Sequence, residues 1–209
     1  MRFLIDENLT PLTNEELIKE LQTVSNQRRE KIMKMRFDAG KMQSLRAYKL
    51  LQRLLFEEYG ISTPPVFLEQ GNGKPVIADH EDIHFNISHC KNSVACAISN
   101  TPIGIDIEII GRKSSNSLIK YIFNEYEQQM IFEAGEKDNS NPKLASDIMF
   151  TNLWTKKEAL VKMTGEGISG KEQLVPLLED WHRGKSNYDF ITEYSPENKW
   201  VCSICYPKE

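Results

Sequence analysis

No stretch of the 209 residues approaches the eighteen or so consecutive apolar side chains that a membrane-crossing helix needs. The opening residues, MRFLIDENLTPL, contain no apolar run of the signal-peptide kind, so a cytoplasmic protein is expected, without membrane partners. Cysteine is scarce. The four present, Cys90, Cys96, Cys202 and Cys205, are too few for the disulfide framework of a small secreted domain, and reduced buried thiols are expected. Cys202 and Cys205 have C-x-x-C spacing but lie in WVCSICY, which alternates like a strand. Residues three apart on a strand face opposite sides, whereas a redox or zinc pair needs a tight turn or a helix start. An overall basic excess is lacking too, since the formal net charge is −4. The exception is Arg28 to Arg53, where nine basic residues stand against two acids and leave the remainder net acidic. Such a cluster is either the wet face of a helix or a surface for a polyanion; with no interleaved aromatics or binding motif, nucleic acid is not expected as the partner.

What is present is an ordinary globular composition, 40% hydrophobic and 27% charged, with enough chain for one large domain or two small ones. Thr13 and Glu16 form a capping box that opens a first helix carrying Leu17 and Leu21. A second helix covers about 25–35, and a third runs from near Asp38 to Tyr59, with Leu45, Leu51, Leu54 and Leu55 inward and Gly60 as its stop. Strand-like runs follow near 66–70, 83–88 and 93–98, separated by turns such as GNGKP. After SNTP the order restarts, with alternating IGIDIEI, helices near 115–122 and 125–134, the polar loop GEKDNSNPK and a helix at 151–164 ended by Gly165. Strand-like runs near 172–178, 188–193 and 199–206 close the chain. The expected fold is therefore α/β, of α+β type. It would be a pseudodimer of halves 1–101 and 102–209, each a helix packed on a three-stranded, mainly antiparallel sheet.

The segment HEDIHFNISHC, 80–90, allows two readings. On a helix, His80 and His84 would hold zinc with Glu81 as base, as in a metallopeptidase. From Ile83 onward, however, Ile83, Phe85 and Ile87 alternate with His84, Asn86 and Ser88, which is the period of a half-buried strand. A loop entering a strand is expected, and the zinc reading stays as the alternative.

Asp106 and Glu108, one residue apart on a strand, project from one face about 6.5–7 Å apart at Cα. They make a platform for a hard cation such as magnesium, or simply the wet side of the strand. On the helix TNLWTKKEALVKMTGEG, Phe150, Leu153, Trp154, Leu160 and Val161 share an apolar face with Lys157 near its middle. Lys157 either snorkels to water or, with Glu158 and Lys162, faces an anionic site beside those carboxylates.

GKP at 73–75, FNISHCKNSVACAIS at 85–99, GIDIE at 104–108 and WTKKEALVK at 154–162 stand in an order and spacing that resembles the surfactin-type 4′-phosphopantetheinyl transferases. The resemblance covers nearly the whole chain. It implies a magnesium-dependent, monomeric enzyme that moves the phosphopantetheine arm of coenzyme A onto a serine of an apo acyl or peptidyl carrier protein, releasing adenosine 3′,5′-bisphosphate. The half 1–101 would bind coenzyme A and 102–209 would bind magnesium and catalyse. By the motif match, Asp106, Glu108 and Glu158 would be the metal ligands. Ser88, His89 and Lys74 would contact the nucleotide phosphates, Arg28 and Lys31 the 3′-phosphate, and Ser44 would lie near the adenine. Lys162 would neutralise the departing pyrophosphate. Gln43 departs from the family pattern, which often has a basic residue there, and Cys90 stands where serine is frequent, making it a candidate reactive thiol. Glu127 of FNEYE matches a glutamate that helps deprotonate the serine, while Asn124 and Glu127 also have capping-box spacing. A carrier would dock near Ile109, Ile110, Arg112 and Lys113. The rival classes are the zinc metallopeptidase and a noncatalytic coenzyme A-binding protein.

Overall fold

A five-residue strand that no local sequence pattern announces, β1 (Arg2–Asp6), opens the chain. The computed structural model describes residues 1–7, 9–70, 73–111, 115–167 and 171–208. Its two compact units are Met1–Ile103 and Gly104–Glu209. In the first, Thr13 caps α1 (Asn14–Leu21) in the expected box, its backbone N–H donating to Glu16 Oε2 at 2.7 Å. Ser25 caps α2 (Asn26–Met33), and α3 (Asp38–Tyr59) ends at Gly60, whose φ of 68° is the left-handed closure that glycine adopts without strain. Next comes a hairpin of β2 (Phe67–Gln70) and β3 (Lys74–Ile77), followed by β4 (His84–His89) and β5 (Val94–Ser99). The sheet order is β1-β5-β4, antiparallel throughout. Leu51, Leu54 and Leu55 of α3 pack with Phe85, Val94, Cys96 and Ile98 of the sheet to make the core.

The second unit contains β6 (Gly104–Ile109), α4 (Asn116–Ile122), α5 (Glu125–Lys137), α6 (Pro142–Thr164), α7 (Lys171–Leu174), α8 (Glu179–His182), β7 (Tyr188–Tyr194) and β8 (Trp200–Pro207). Its antiparallel sheet has the order β6-β8-β7. In each unit, then, the last strand sits between the first strand and its own hairpin partner. Three expectations need correction. GKP is not turn alone, because Lys74 and Pro75 belong to β3, where proline is tolerated in a two-stranded hairpin. The run 172–178 is no strand: α7 and turns occupy it. The last helix begins at Pro142 rather than 151, since Asn141 accepts from the Leu144 N–H at 3.2 Å and proline suits a first helical turn.

All four cysteines are buried thiols outside any disulfide. Burial pushes the Cys205 thiol up to about 12, which leaves the C-x-x-C of β8 without the thiolate a redox pair needs. Among the described residues, no helix is long and apolar enough to cross a membrane.

The packing of β6 on α6 depends on Gly104. A Cβ built there would stand 1.9 Å from the Ala159 carbonyl oxygen and 2.5 Å from the Met163 nitrogen, so strand and helix touch backbone to backbone. Gly104→Ala must push the helix off the strand, and a loss of about 3 kcal/mol or more is expected in urea denaturation. An unchanged midpoint would contradict the packing described. Further along α6, Lys156 is 7% exposed, and its ammonium meets neutral groups: the Asn152 amide oxygen, and the rings of Trp181 and Phe190 at 5.5 and 6.0 Å. Burial pushes its pKa down to about 8 from 10.5. Below about 8 both folded and unfolded chains carry the proton and the full cost of burying charge stands. Between 8 and 10.5 the unfolded chain holds more protons, so this residue makes stability rise with pH. Lys156→Met is expected to be more stable than wild type by about 3 kcal/mol at pH 7, with most of the gain gone by pH 10. Urea titrations across that range measure it, and a pH-independent difference would refute the assignment.

Candidate functional site

In the first unit, α2 and α3 bring two of the expected residues together. The Arg28 guanidinium donates from Nη1 to Ser44 Oγ at 3.1 Å and lies 4.9 Å from the Tyr48 ring centroid and 5.0 Å from that of Phe67. Burial lowers its pKa without approaching neutrality of charge, because guanidinium starts so high. Arg28 is thus a permanently charged fork held between aromatic faces, suited to phosphate. Lys31 is exposed and one helical turn further along α2. Lys74 on β3 is half-buried, and burial lowers its pKa; His84 on β4 is likewise lowered, by burial first and then by the Lys74 charge. Ser88 is 6% exposed whereas His89, the last residue of β4, is exposed, as alternation along a strand requires. Of the two, His89 is the side chain open to a ligand.

Gln43 has a role the sequence did not disclose. Its amide nitrogen donates to the Cys90 carbonyl at 2.8 Å and the Lys91 carbonyl at 3.4 Å. The residue where a basic side chain is frequent therefore ties α3 to the turn that follows His89. Cys90 itself is 7% exposed, which removes it as an accessible reactive thiol.

In the second unit, Gly104, Asp106 and Glu108 share the β6 face that meets α6. Asp106 is 7% exposed, so this is not the wet side of the strand. Its Oδ1 accepts from Lys162 Nζ at 2.6 Å, a charge-assisted bond. Glu158 is half-buried and one turn before Lys162 on the same helix face. The backbone N–H of Ile109 donates to Glu108 Oε1 at 2.9 Å. Ile109 and Ile110 are half-buried, and Arg112 and Lys113, the basic part of the expected docking surface, lie outside the described residues.

Lys157 is elsewhere. It neither snorkels nor faces the strand carboxylates, being 0% exposed and 2.9 Å from Glu127 Oε2, itself 0% exposed. Burial lowers the Lys157 pKa, and Glu127 pulls it back up. Glu127 also closes the α5 capping box: its Oε2 accepts the Asn124 N–H at 3.0 Å, and the Asn124 side chain accepts the Glu127 N–H at 2.9 Å. Its second oxygen, Oε1, lies 3.4 Å from His182 Nε2. A base must reach its proton directly or through one water. Glu127 is thus the cap of the expected reading and also an ion-pair partner, with its carboxylate enclosed. Sequence gave the cap spacing but could not pair residues thirty positions apart.

Donor chemistry decides what the Asp106 region can hold. Among the described residues, no group of three or more His, Cys, Asp or Glu side chains stands together so as to hold a metal ion. What exists is a nearly dry carboxylate countered by one ammonium, a second carboxylate on the same strand face, and a third on the helix covering that face. Magnesium fits such a set, because it keeps several waters and takes one or two carboxylates plus substrate phosphates; a closed zinc site does not fit. The zinc motif at 80–84 fails on geometry as well. Residues 78–83 are turn and bend and His84 opens a strand, so the histidines are not one helical turn apart.

Residues 102–205 match the family model of the 4′-phosphopantetheinyl transferase superfamily. The chain is similar to the 4′-phosphopantetheinyl transferase psf-1 of Bacillus pumilus, with 31% identity over 166 residues covering 77% of this chain and 68% of the relative. It is 32% identical to Sfp of Bacillus subtilis (strain 168) over 160 residues, 76% of this chain and 68% of the relative. A further 4′-phosphopantetheinyl transferase of Bacillus subtilis aligns over 203 residues at 28% identity, covering 93% and 87%.

Proposed function

Because the chain belongs to the surfactin-type 4′-phosphopantetheinyl transferases, we propose that it moves the phosphopantetheine arm of coenzyme A to a serine of an apo acyl or peptidyl carrier protein. The reaction is magnesium-dependent, releases adenosine 3′,5′-bisphosphate, and is carried out by a monomer in the cytoplasm. The halves 1–101 and 102–209 serve coenzyme A and magnesium respectively, and their shared strand order supports a pseudodimer. One observation carries the proposal: Asp106, almost without water, is held to Lys162 on a strand face pressed against α6.

The serine hydroxyl attacks the β-phosphorus in line. A new phosphorus–oxygen bond forms while the bond to the bridging oxygen breaks, and that oxygen leaves with its electron pair on adenosine 3′,5′-bisphosphate. Charge on these oxygens is what the site has to meet. Magnesium, held by Asp106, Glu108 and Glu158, would supply Lewis-acid stabilisation of the phosphoryl oxygens. Lys162 is the cation for the departing pyrophosphate oxygen, and His89 adds a second donor to the phosphates. Arg28, with Ser44 beside it, and Lys31 suit the 3′-phosphate and adenine end, with Lys74 and Ser88 at the remaining phosphates. The hydroxyl proton passes to water as the bond forms, the Glu127 carboxylate being enclosed.

Asp106→Ala is expected to retain the fold and to lower transfer by about a thousandfold or more. Mass spectrometry of an apo carrier protein incubated with coenzyme A and magnesium measures this as a fixed mass added to one serine. A normal rate in the variant overturns the metal assignment. No added mass with wild type, together with coenzyme A binding, makes the chain a noncatalytic binder.

A further inference from the structure

We propose that Lys157 is a positioning residue of this chain: buried with Glu127, it fixes α6 in the rotation that presents Glu158 and Lys162 to Asp106, and so sets the affinity for the divalent ion. The inference rests on the function proposed above and adds to it a residue outside the ligand set. An ammonium has three N–H donors, and Lys157 has an acceptor for each: Glu127 Oε2 at 2.9 Å, the Leu174 carbonyl at 2.9 Å and the Val175 carbonyl at 3.1 Å. These acceptors come from the start of α5 and from the end of α7 with the residue after it. One side chain thereby brackets α6 to two other segments.

The bracket acts on the site through helix geometry. Lys157 and Glu158 are adjacent and diverge by about 100° around the axis, while Glu158 and Lys162 lie within about 40° of each other. Any rotation that strains the Lys157 contacts carries Glu158 and Lys162 away from β6 together. On the opposite side, Gly104 lets the strand touch the Ala159 and Met163 backbone and leaves no slack for compensation. Stability alone is a weak reason for such a pair, because apolar replacements of buried ion pairs often leave proteins equally or more stable. What the pair supplies is a fixed orientation. Glu127 needs no proton transfer for this: its Oε2 already accepts from Lys157 and from the Asn124 N–H, and the residue has no exposed surface.

The test uses the full chain with coenzyme A and Mn²⁺ as a paramagnetic stand-in for magnesium, free Mn²⁺ being counted by electron paramagnetic resonance. Two proteins are compared with wild type: Lys157→Met, and the double variant Glu127→Gln with Lys157→Met, which leaves no lone buried charge should the single variant fail to fold. Each is measured well below its own melting temperature. Either folded variant is expected to bind Mn²⁺ about tenfold more weakly, as loss of a residue that orients metal ligands does. Transfer at limiting metal should fall in the same proportion, recover at high metal, and keep the wild-type pH profile. Wild-type Mn²⁺ affinity in a folded variant, with only the melting temperature lowered, overturns the proposal, as does loss of the acid limb of the profile with metal binding intact. Wild type that binds Mn²⁺ but does not load a carrier refutes the transferase reading while leaving the positioning result to stand. Wild type that binds no Mn²⁺ refutes the metal reading and the proposal with it.

Discussion

The contact between β6 and α6 at Gly104 is the constraint from which the second unit's chemistry follows. Without a Cβ, the strand lies against the Ala159 carbonyl and the Met163 nitrogen. Two residues along, the same pleat face brings Asp106 to Lys162 at 2.6 Å. An ordinary side chain at position 104 would hold the two backbones several ångströms apart and put that carboxylate back into water. The glycine thus converts an alternating strand, which could have had a wet side, into one whose acidic side is covered.

Covering it raises the electrostatic stakes, and α6 answers them differently at successive positions. Lys162 is partly exposed and shares its charge with Asp106. Lys157 is fully enclosed but saturated by one carboxylate and two carbonyls. Lys156, next to it, meets an amide and aromatic rings, and its pKa falls to about 8. Burial of an ammonium is tolerable when every donor is met by an oxygen and costly when it is not. Two neighbouring lysines of similar burial therefore differ in how their ammonium is met, which residue type alone does not reveal.

Elements with local signals were legible in the sequence. The Thr13–Glu16 box, the glycine stops at Gly60 and Gly165, and the alternation after Asp82 gave helix ends and a strand where the structure has them. Elements defined by distant partners were not. RFLID becomes β1 because it pairs with β5, and nothing within five residues announces that partner. KPVI becomes β3 despite its proline because Phe67–Gln70 lies opposite. The strand-like run near 172–178 fails for the converse reason: among the described residues no strand pairs with it, and short helical and turn structure prevails. In the site, helix period placed Glu158 and Lys162 on one face, and strand period did the same for Asp106 and Glu108. The same wheel put Lys157 in an apolar face without disclosing that Glu127 waits there.

Strand order explains why such information is distributed. In both units the last strand occupies the middle of the sheet, between the first strand and its own hairpin partner. For the second unit, β6 pairs with β8, so Asp106 stands opposite Ser203 near the far end of the chain. Ser203 in turn shares a 2.8 Å hydroxyl contact with Thr155 of α6, one turn before the helix meets Gly104. The acidic face is therefore defined by three segments that are remote in sequence and closed by pairing of high loop-entropy cost. A motif such as GIDIE specifies which atoms are offered. Their orientation belongs to the glycine contact, the β8 pairing and the buried lysine bracket taken together, and none of these is contained in the motif.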